Sequence, residues 1–303
     1  MPYLSLMHRK TAPCPSSSLL VLVVLLGLLP LGAWHCAGRL KTAAAGALME
    51  DMVAATNQQD DLALVTQAAP TYLLLLEGLH HSSPHHGRLL SSLAQAYISY
   101  ATLIEIDDPE RASHLYQRAM TYGRQSLAEE KRLAPFMAAP FAGFSGIRGA
   151  LKRQDLEPVF WAALSWGAWI STHTDSMAAL ADLPKVILLM EWVVEQDEAL
   201  LYGSPHLFLG MYHAALPAAL GGSPEKALYH FDRALTLSQG QALMVYVQKA
   251  RFYARQIFDR PLYESLLNQA LTLPADSNPD LILQNTAARK LARKLLEETD
   301  VFF

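Results

Sequence analysis

The feature that most constrains this chain is the three-to-four spacing of its apolar residues, which runs from about residue 38 to the C-terminus. This is the period of α-helices with one buried face, whereas half-buried strands would alternate apolar and polar residues. Alanine and leucine, both good helix formers, dominate the same stretch. The sequence therefore predicts a single all-α domain over residues 38–303.

Two helix starts carry the same signal, DPE at residues 108–110 and SPE at 223–225. Each combines a capping side chain, a proline suited to the first helical position and a glutamate near the positive end of the helix dipole. The segments that follow, DPERASHLYQRAM and SPEKALYHFDRAL, are similar. Their small and aromatic residues match at equal offsets, Ala112, Tyr116 and Ala119 in the first and Ala227, Phe231 and Ala234 in the second.

A repeat is also indicated, because ALTL occurs at residues 234–237 and again 36 residues later, at 270–273. The tetratricopeptide repeat has a period of about 34 residues and an Ala-x3-Phe element in its second helix. Residues 90–97 fit its first-helix pattern, with Leu in place of Trp and Ala in place of Gly. We expect stacked antiparallel helical hairpins, TPR-like with irregular repeats, around a concave face. The alternative is an ordinary helical domain whose hairpins share caps by chance.

The first 37 residues have the composition of an export leader. His8, Arg9 and Lys10 precede an apolar run over residues 19–29, which has signal-peptide length and is short for a membrane span. We predict a signal peptide or lipoprotein leader over residues 1–37, with a retained N-terminal membrane anchor as the alternative. Both place the rest of the chain outside the cytoplasm.

The two cysteines, Cys14 and Cys36, both lie in this leader region, so the mature body has no thiol and no disulfide. Cys36 follows the apolar run, where a bacterial lipoprotein carries its lipidated cysteine. The preceding residues 33–35 (AWH) match the usual Leu-small-small pattern poorly. Lipidation of Cys36 and cleavage near Ala37 or Gly38 both stay open.

No familiar catalytic or cofactor motif is present: the sequence has no HExxH, GxSxG, Walker or dinucleotide-binding pattern. We therefore expect no enzyme activity and no cofactor. The net charge of −4 and the scattered basic residues exclude a nucleic-acid partner. The segment GFSGIRG at residues 143–149 is predicted to be a mobile loop. HHSSPHHG at residues 80–87 is predicted to be a solvated loop between helices, and no metal site is expected.

Three of the five tryptophans, Trp161, Trp166 and Trp169, lie within nine residues of one predicted helix. With Trp161 placed at 0° on an ideal helix, Trp169 lies at about 80° and Trp166 at about 140°. Mostly small residues occupy the opposite side of the helix. Buried indole N–H groups need acceptors, which three together rarely find in a dry core. The arc of indoles faces packed side chains, a neighbouring subunit or a cavity for an apolar ligand.

His206 and His213 flank an apolar segment and share one face of a predicted helix, since they are seven residues apart. Such a pair can orient the polar head of a ligand, although buried histidines more often bond a nearby carbonyl. We predict His206, Tyr212 and His213 as polar ligand contacts and the three tryptophans as apolar walls.

A series of motifs follows in order from DPERA at residue 108 and YGRQSL at residue 122. The others are Phe160-Trp161, Trp166-Gly167, Ala181-Asp182-Leu183-Pro184, His206, Gly210, Tyr212, Gly222-Ser223-Pro224-Glu225 and His230-Phe231. In order and spacing they resemble the TatT family, the T-component of TRAP transporters, over about residues 38–303. The resemblance implies an exported, TPR-like helical protein in the periplasm of a Gram-negative-type bacterium, often lipid-anchored.

The resemblance further implies a homo-oligomer that associates with the periplasmic solute-binding protein of a TRAP transporter and handles a hydrophobic ligand. The leader departs from the family's usual lipobox, which leaves the anchor open. Two functions follow: an accessory component of solute transport, or an envelope scaffold that binds proteins or peptides without a small ligand. A hydrolase with an unrecognised site is a weaker third, since no motif places its nucleophile.

Overall fold

The structure, a computed structural model, describes residues 51–303, of which residues 56–303 form one compact unit. The predicted leader and the predicted lipidation site, Cys36, lie outside the described residues. The all-α prediction is confirmed, since the described chain is helical and contains no strand. The main helices are α1 Leu62–Ser82, α2 Gly87–Ile104, α3 Pro109–Ala128, α4 Leu156–Ser171, α5 Leu183–Gln196, α6 Leu200–Ala215, α7 Pro224–Leu237, α8 Leu243–Gln248, α9 Arg260–Thr272 and α10 Ile282–Glu297.

Both predicted helix starts are confirmed. The Asp108 side chain accepts a hydrogen bond from the Arg111 amide at 3.1 Å, and Ser223 accepts one from the Lys226 amide at 3.3 Å. Each satisfies an N–H group that the first helical turn leaves without a partner. The six small and aromatic residues that match between the two segments are all buried, so both helices turn the same face inward.

Neighbouring helices run antiparallel. Between α2 and α3, Tyr97 stacks on Tyr122 while Thr102, later in α2, lies near Tyr116, earlier in α3. The α3–α4 pair is close because Gly123 has no side chain: an added Cβ would lie 2.8 Å from backbone and side-chain atoms of α4. Hairpins of this kind agree with the predicted helical stack.

The buried side chains form two apolar clusters. The first joins α3, α4, α5 and the segment between α3 and α4, with Phe160, Trp166 and Leu189 among its fully buried members. The second joins α6 through α10, with Phe231 and Tyr263 at its centre. Helix α6 belongs to both clusters and thus connects the two halves of the compact unit.

The loop predicted for residues 143–149 is largely helical instead. Short helices occupy Phe141–Phe144 and Ile147–Ala150, and their side chains Phe144 and Ile147 are fully buried in the first cluster. The apolar side chains, rather than the glycines between them, decide the structure of this segment. The loop predicted at residues 80–87 is shorter than expected: α1 continues to Ser82 and α2 begins at Gly87, so only residues 83–86 lie between the two helices.

Within the described chain, α1 is the helix whose length and composition would allow it to cross a membrane, with a mean hydropathy of 1.4. Only 17% of its most apolar window is buried, and Leu64, Leu74 and Leu75 are exposed. Core helices of soluble proteins and signal sequences satisfy the same criterion, so length and composition alone do not assign this helix to a membrane.

Candidate functional site

The three predicted indoles all lie on α4, but they have different environments. Trp166 is fully buried in the first core cluster, whereas Trp161 and Trp169 are half-buried at its edge. The Trp161 ring packs edge-on against Phe160 with centroids 4.9 Å apart, and Trp169 packs against His173 at 4.8 Å. One member of the arc therefore fills core volume, and two border it.

Trp166 lies between cations and an aromatic ring. The Arg124 guanidinium carbon is 4.4 Å from its ring centroid, the Lys185 ammonium is 5.8 Å away, and Phe144 packs edge-on at 6.2 Å. Cations over an indole face are attracted by the ring quadrupole. The indole N–H groups of Trp166 and Trp169 are both buried, and neither has an acceptor among the described residues. Two donors on one helix are thus left without a partner.

The predicted histidines lie on α6 and face α7, where they meet a third histidine. The Nδ1 atoms of His206 and His230 are 2.8 Å apart, and the rings of His213 and His230 lie 5.6 Å apart and nearly parallel, at 12°. The exposed Tyr229 packs edge-on against both His206 and His230. We call His206, His213 and His230 the imidazole cluster.

The partners of these rings determine where their hydrogens lie. The Glu198 carboxylate, 3.3 Å from His206 Nε2, can only accept, so Nε2 carries the hydrogen and the neutral ring accepts at Nδ1. His230 therefore donates from its own Nδ1. His213 donates from Nδ1 to the Gly221 carbonyl at 3.0 Å. Arg233 completes this network by pairing with Glu198 through two hydrogen bonds, one of 2.9 Å from Nε and one from Nη2.

Burial lowers the pKa of all three imidazoles, since the charged form loses its hydration. For His230, burial and the neighbouring histidines lower the pKa to about 4. Hydrogen bonds from Arg233 lower the pKa of Glu198 to about 2. At neutral pH the cluster is therefore uncharged, and its His206 ring donates to Glu198 of an ionised Glu198–Arg233 pair.

Tyr212, the third predicted polar contact, donates from its hydroxyl to the Leu220 carbonyl at 3.2 Å, and burial raises its pKa. This bond and the one from His213 hold the turn between α6 and α7. That turn requires glycine: a Cβ on Gly222 would lie 1.7 Å from the Leu216 carbonyl oxygen. The motif beginning at Gly222 thus positions the α7 cap against the histidine face of α6.

The six predicted residues form two groups rather than one. The indoles lie on α4, which meets α6 where Gly167 faces Phe208. Phe208 lies about 200° around the helix from His206, so the imidazole cluster faces away from the indoles. Within the described chain no hydrogen bond or ring contact joins the groups, and their role in ligand binding stays a prediction.

Sequence reasoning did not assign His230, Glu198 or Arg233 to the site, although His230-Phe231 was one of the family motifs. In the structure His230 completes the imidazole cluster, and Glu198 and Arg233 form the ion pair beside it. The available signal was the helical spacing of His230 and Arg233 in the segment after the SPE cap at residues 223–225. That spacing reveals the face of a helix but not the helix that it meets. Among the described residues no set of three or more His, Cys, Asp or Glu side chains has the geometry of a metal site.

Comparison with protein families decides what the chain is related to. The family model described as TAtT, the TRAP transporter T-component, matches residues 58–303. The chain belongs to the TRAP transporter T-component family. Comparison with curated proteins gave no match. Membership confirms the resemblance seen in the sequence motifs.

A T-component takes part in TRAP transport, so this chain has an accessory role in such a system and an association with the bacterial cell envelope. The family is a transporter component rather than an enzyme family. Its match covers every helix from α1 to α10, including the indoles, the imidazole cluster and the turn at Gly222.

Proposed function

We propose that this T-component is exported to the periplasm, where it docks the solute-binding protein of a TRAP transporter and passes a hydrophobic ligand to or from it. Family membership over residues 58–303 is the observation that carries this proposal. A stack of antiparallel helices supports it, since stacked hairpins expose extended surfaces that suit protein partners. The protein acts as a homo-oligomer and not as an enzyme.

The indole arc is proposed as the apolar contact for the ligand. Trp161 and Trp169 are half-buried, and the unpartnered N–H groups of Trp166 and Trp169 would complete their hydrogen bonding with an acceptor oxygen on the ligand. Arg124 beside Trp166 has no carboxylate partner among the described residues and favours an amphiphile with an anionic head, whereas Lys185 is already paired with Asp182 at 2.8 Å. His206, Tyr212 and His213 are proposed as polar contacts on the opposite face of α6.

Tryptophan fluorescence tests the ligand. Titration of the full chain with dodecanoate below its micelle concentration should change the emission saturably. Trp169→Phe should remove most of that change. Trp192→Phe, which alters a tryptophan buried on α5 outside the arc, is the matched control and should retain it. An absence of any saturable change would contradict ligand binding at the arc.

The second candidate is an envelope scaffold that holds proteins or peptides without a small ligand. The exposed leucines of α1 favour a protein partner, because exposed apolar patches mark interaction surfaces. Biolayer interferometry of the full chain against a purified TRAP solute-binding protein separates the two. Saturable binding supports the transport role. Capture of envelope-assembly proteins with no binding to the solute-binding protein supports the scaffold.

A further inference from the structure

Exposed apolar side chains gather where the turn before α9 meets the short helix Thr299–Phe302. Phe258 in the turn is 70% exposed, and Val301 in the short helix is 80% exposed. The Phe258 and Phe303 rings pack with their centroids 5.3 Å apart, which joins the two segments. A group of exposed apolar side chains marks an interaction surface, whereas scattered single ones are ordinary. We define the apolar patch as Ile257, Phe258, Val301, Phe302 and Phe303.

The backbone at Phe258 has an unfavourable conformation. Helix α8 continues into a π-helix, Lys249–Ala254, and the helical segment ends with Phe258 in the left-handed region, at φ 56°. The Phe258 amide donates to the Arg255 carbonyl at 3.1 Å. The Asp259 amide donates to the Ala254 carbonyl at 2.9 Å, so the two bonds form a Schellman motif. Glycine is the usual residue at the left-handed position of this motif, because a side chain there is crowded against the backbone.

The Phe258 ring is not needed to hold the neighbouring segment in place. The fully buried Tyr263 ring already packs edge-on against Phe303 at 5.3 Å and against Phe302 at 6.3 Å. The chain thus keeps a large ring at residue 258 that is both exposed and strained. Strained residues cluster at functional sites, and aromatic side chains are typical anchors of protein interfaces.

A cation without a carboxylate partner lies at the edge of the patch. The Arg255 guanidinium carbon is 3.6 Å from the Phe302 ring centroid, and the side chain has no hydrogen bond or ion pair among the described residues. Arg260 is different, because it pairs with Glu264 at 2.7 Å and with Asp300 at 2.8 Å. A guanidinium recognises a carboxylate through two parallel hydrogen bonds. The patch therefore fits a surface that presents a carboxylate beside an apolar pocket.

A protein suits this patch better than a membrane does. Recognition of anionic lipid uses clusters of about four to eight basic residues. Here Arg255 and Arg260 are accompanied by the carboxylates of Glu264 and Asp300, which repel an anionic lipid surface. A component of a transport system also requires contacts with other proteins of that system.

We propose that the apolar patch is the surface through which this T-component docks the solute-binding protein. Phe258 enters an apolar pocket on the partner, and Arg255 pairs with a carboxylate at the edge of that pocket. The inference rests on the proposed function, to which it adds the docking surface and the chemistry that this surface requires of the partner.

Biolayer interferometry of the full chain against a purified TRAP solute-binding protein tests the surface. Phe258→Gly should weaken binding at least tenfold through loss of the anchor. Its urea midpoint should equal or exceed that of the wild type, because glycine suits the left-handed position. Met177→Ser, which changes an apolar residue of similar exposure on the short helix Met177–Ala181, is the matched control and should bind like the wild type.

A second pair of variants tests the charge. Arg255→Gln should weaken binding about tenfold, and its affinity should fall less than that of the wild type as the salt concentration rises. Arg111→Gln is the matched control, since Arg111 also lies over a tyrosine ring, at 5.5 Å, and has no carboxylate partner among the described residues. Its affinity and salt dependence should equal those of the wild type.

The outcomes separate this surface from the proposed function. Equal binding by the wild type and a folded Phe258→Gly variant would overturn the docking surface and leave the proposed function standing. Absence of binding by the wild type would contradict the proposed function itself, and the surface with it. If Phe258→Gly lowers binding to vesicles of phosphatidylglycerol and phosphatidylethanolamine but not to the solute-binding protein, the patch contacts lipid and the proposal is wrong.

Discussion

Acidification should destabilise this protein through the imidazole cluster, above all through His230. Burial and two neighbouring histidines lower its pKa to about 4, from 6.5 in the unfolded chain. Between these values the unfolded state binds a proton that the folded state does not. Stability is therefore complete above pH 6.5 and falls as the pH drops from 6.5 to 4.

The magnitude follows from the pKa difference. Each pKa unit corresponds to about 1.4 kcal/mol, so a fully shielded ring would lose about 3 kcal/mol across this window. His230 is only partly buried, and solvent screening reduces the expected loss to about 1–2 kcal/mol. Glu198, with a pKa of about 2, loses its contribution only below pH 4.5, so its effect falls mainly at lower pH.

Urea denaturation at several pH values from 7 to 4 measures this loss. The His230→Gln variant retains a donor for the His206 ring but does not titrate, so its unfolding free energy should change less over the same interval. The difference from the wild type should reach about 1–2 kcal/mol. His114→Gln, which replaces an exposed histidine on α3, is the matched control and should follow the wild type.

Two outcomes would refute this reasoning. If His230→Gln and the wild type lose the same stability between pH 6.5 and 4, the imidazole cluster does not couple folding to protonation. If His114→Gln flattens the curve as much as His230→Gln does, the effect belongs to general charge and not to burial.

Three further predictions concern helix packing, a buried ion pair and a helix cap. The urea concentration at the midpoint of unfolding tests each of them. Gly167→Ala should destabilise the protein by about 1–3 kcal/mol, because the new Cβ would lie 2.6 Å from two ring carbons of Phe208 on α6. Gly78→Ala is the matched control: no atom lies within 4 Å of its new Cβ, so it should stabilise the protein by about 1 kcal/mol. Asp155→Asn should cost about 3 kcal/mol, since it neutralises the buried carboxylate paired with Arg132 and leaves that guanidinium only Glu130, at 3.6 Å. Ser223→Ala should cost about 1 kcal/mol through loss of the α7 cap, and an unchanged midpoint would contradict the capping role.

The helices and their starts were predictable because their signals are local. Asp108 and Ser223 each bond an amide three residues later, and both were recognised from neighbouring residues alone. The buried Ala and aromatic positions of α3 and α7 were predictable for the same reason, since a helix of known period has a calculable face.

The environment of the indoles was not predictable, because it depends on a distant helix. Gly123 on α3 allows that helix to approach α4 closely, and on α4 Trp166 is fully buried while Trp161 and Trp169 are half-buried. The spacing of the three indoles contains no information about Gly123.

The imidazole cluster and the π-helix over Lys249–Ala254 were missed for related reasons. His206 meets His230 across 24 residues of sequence, a contact that helical spacing on α6 cannot indicate. The residues at 249–254, KARFYA, are compatible with an ordinary α-helix, so only the packed structure reveals the wider turn.

The central claim is that this T-component docks a solute-binding protein, and affinity purification of the full chain from its native envelope tests it most directly. Mass spectrometry of the eluate should identify a TRAP-type solute-binding protein that is enriched over a mock purification. Recovery of envelope-assembly proteins with no transporter component would contradict the claim and favour the scaffold.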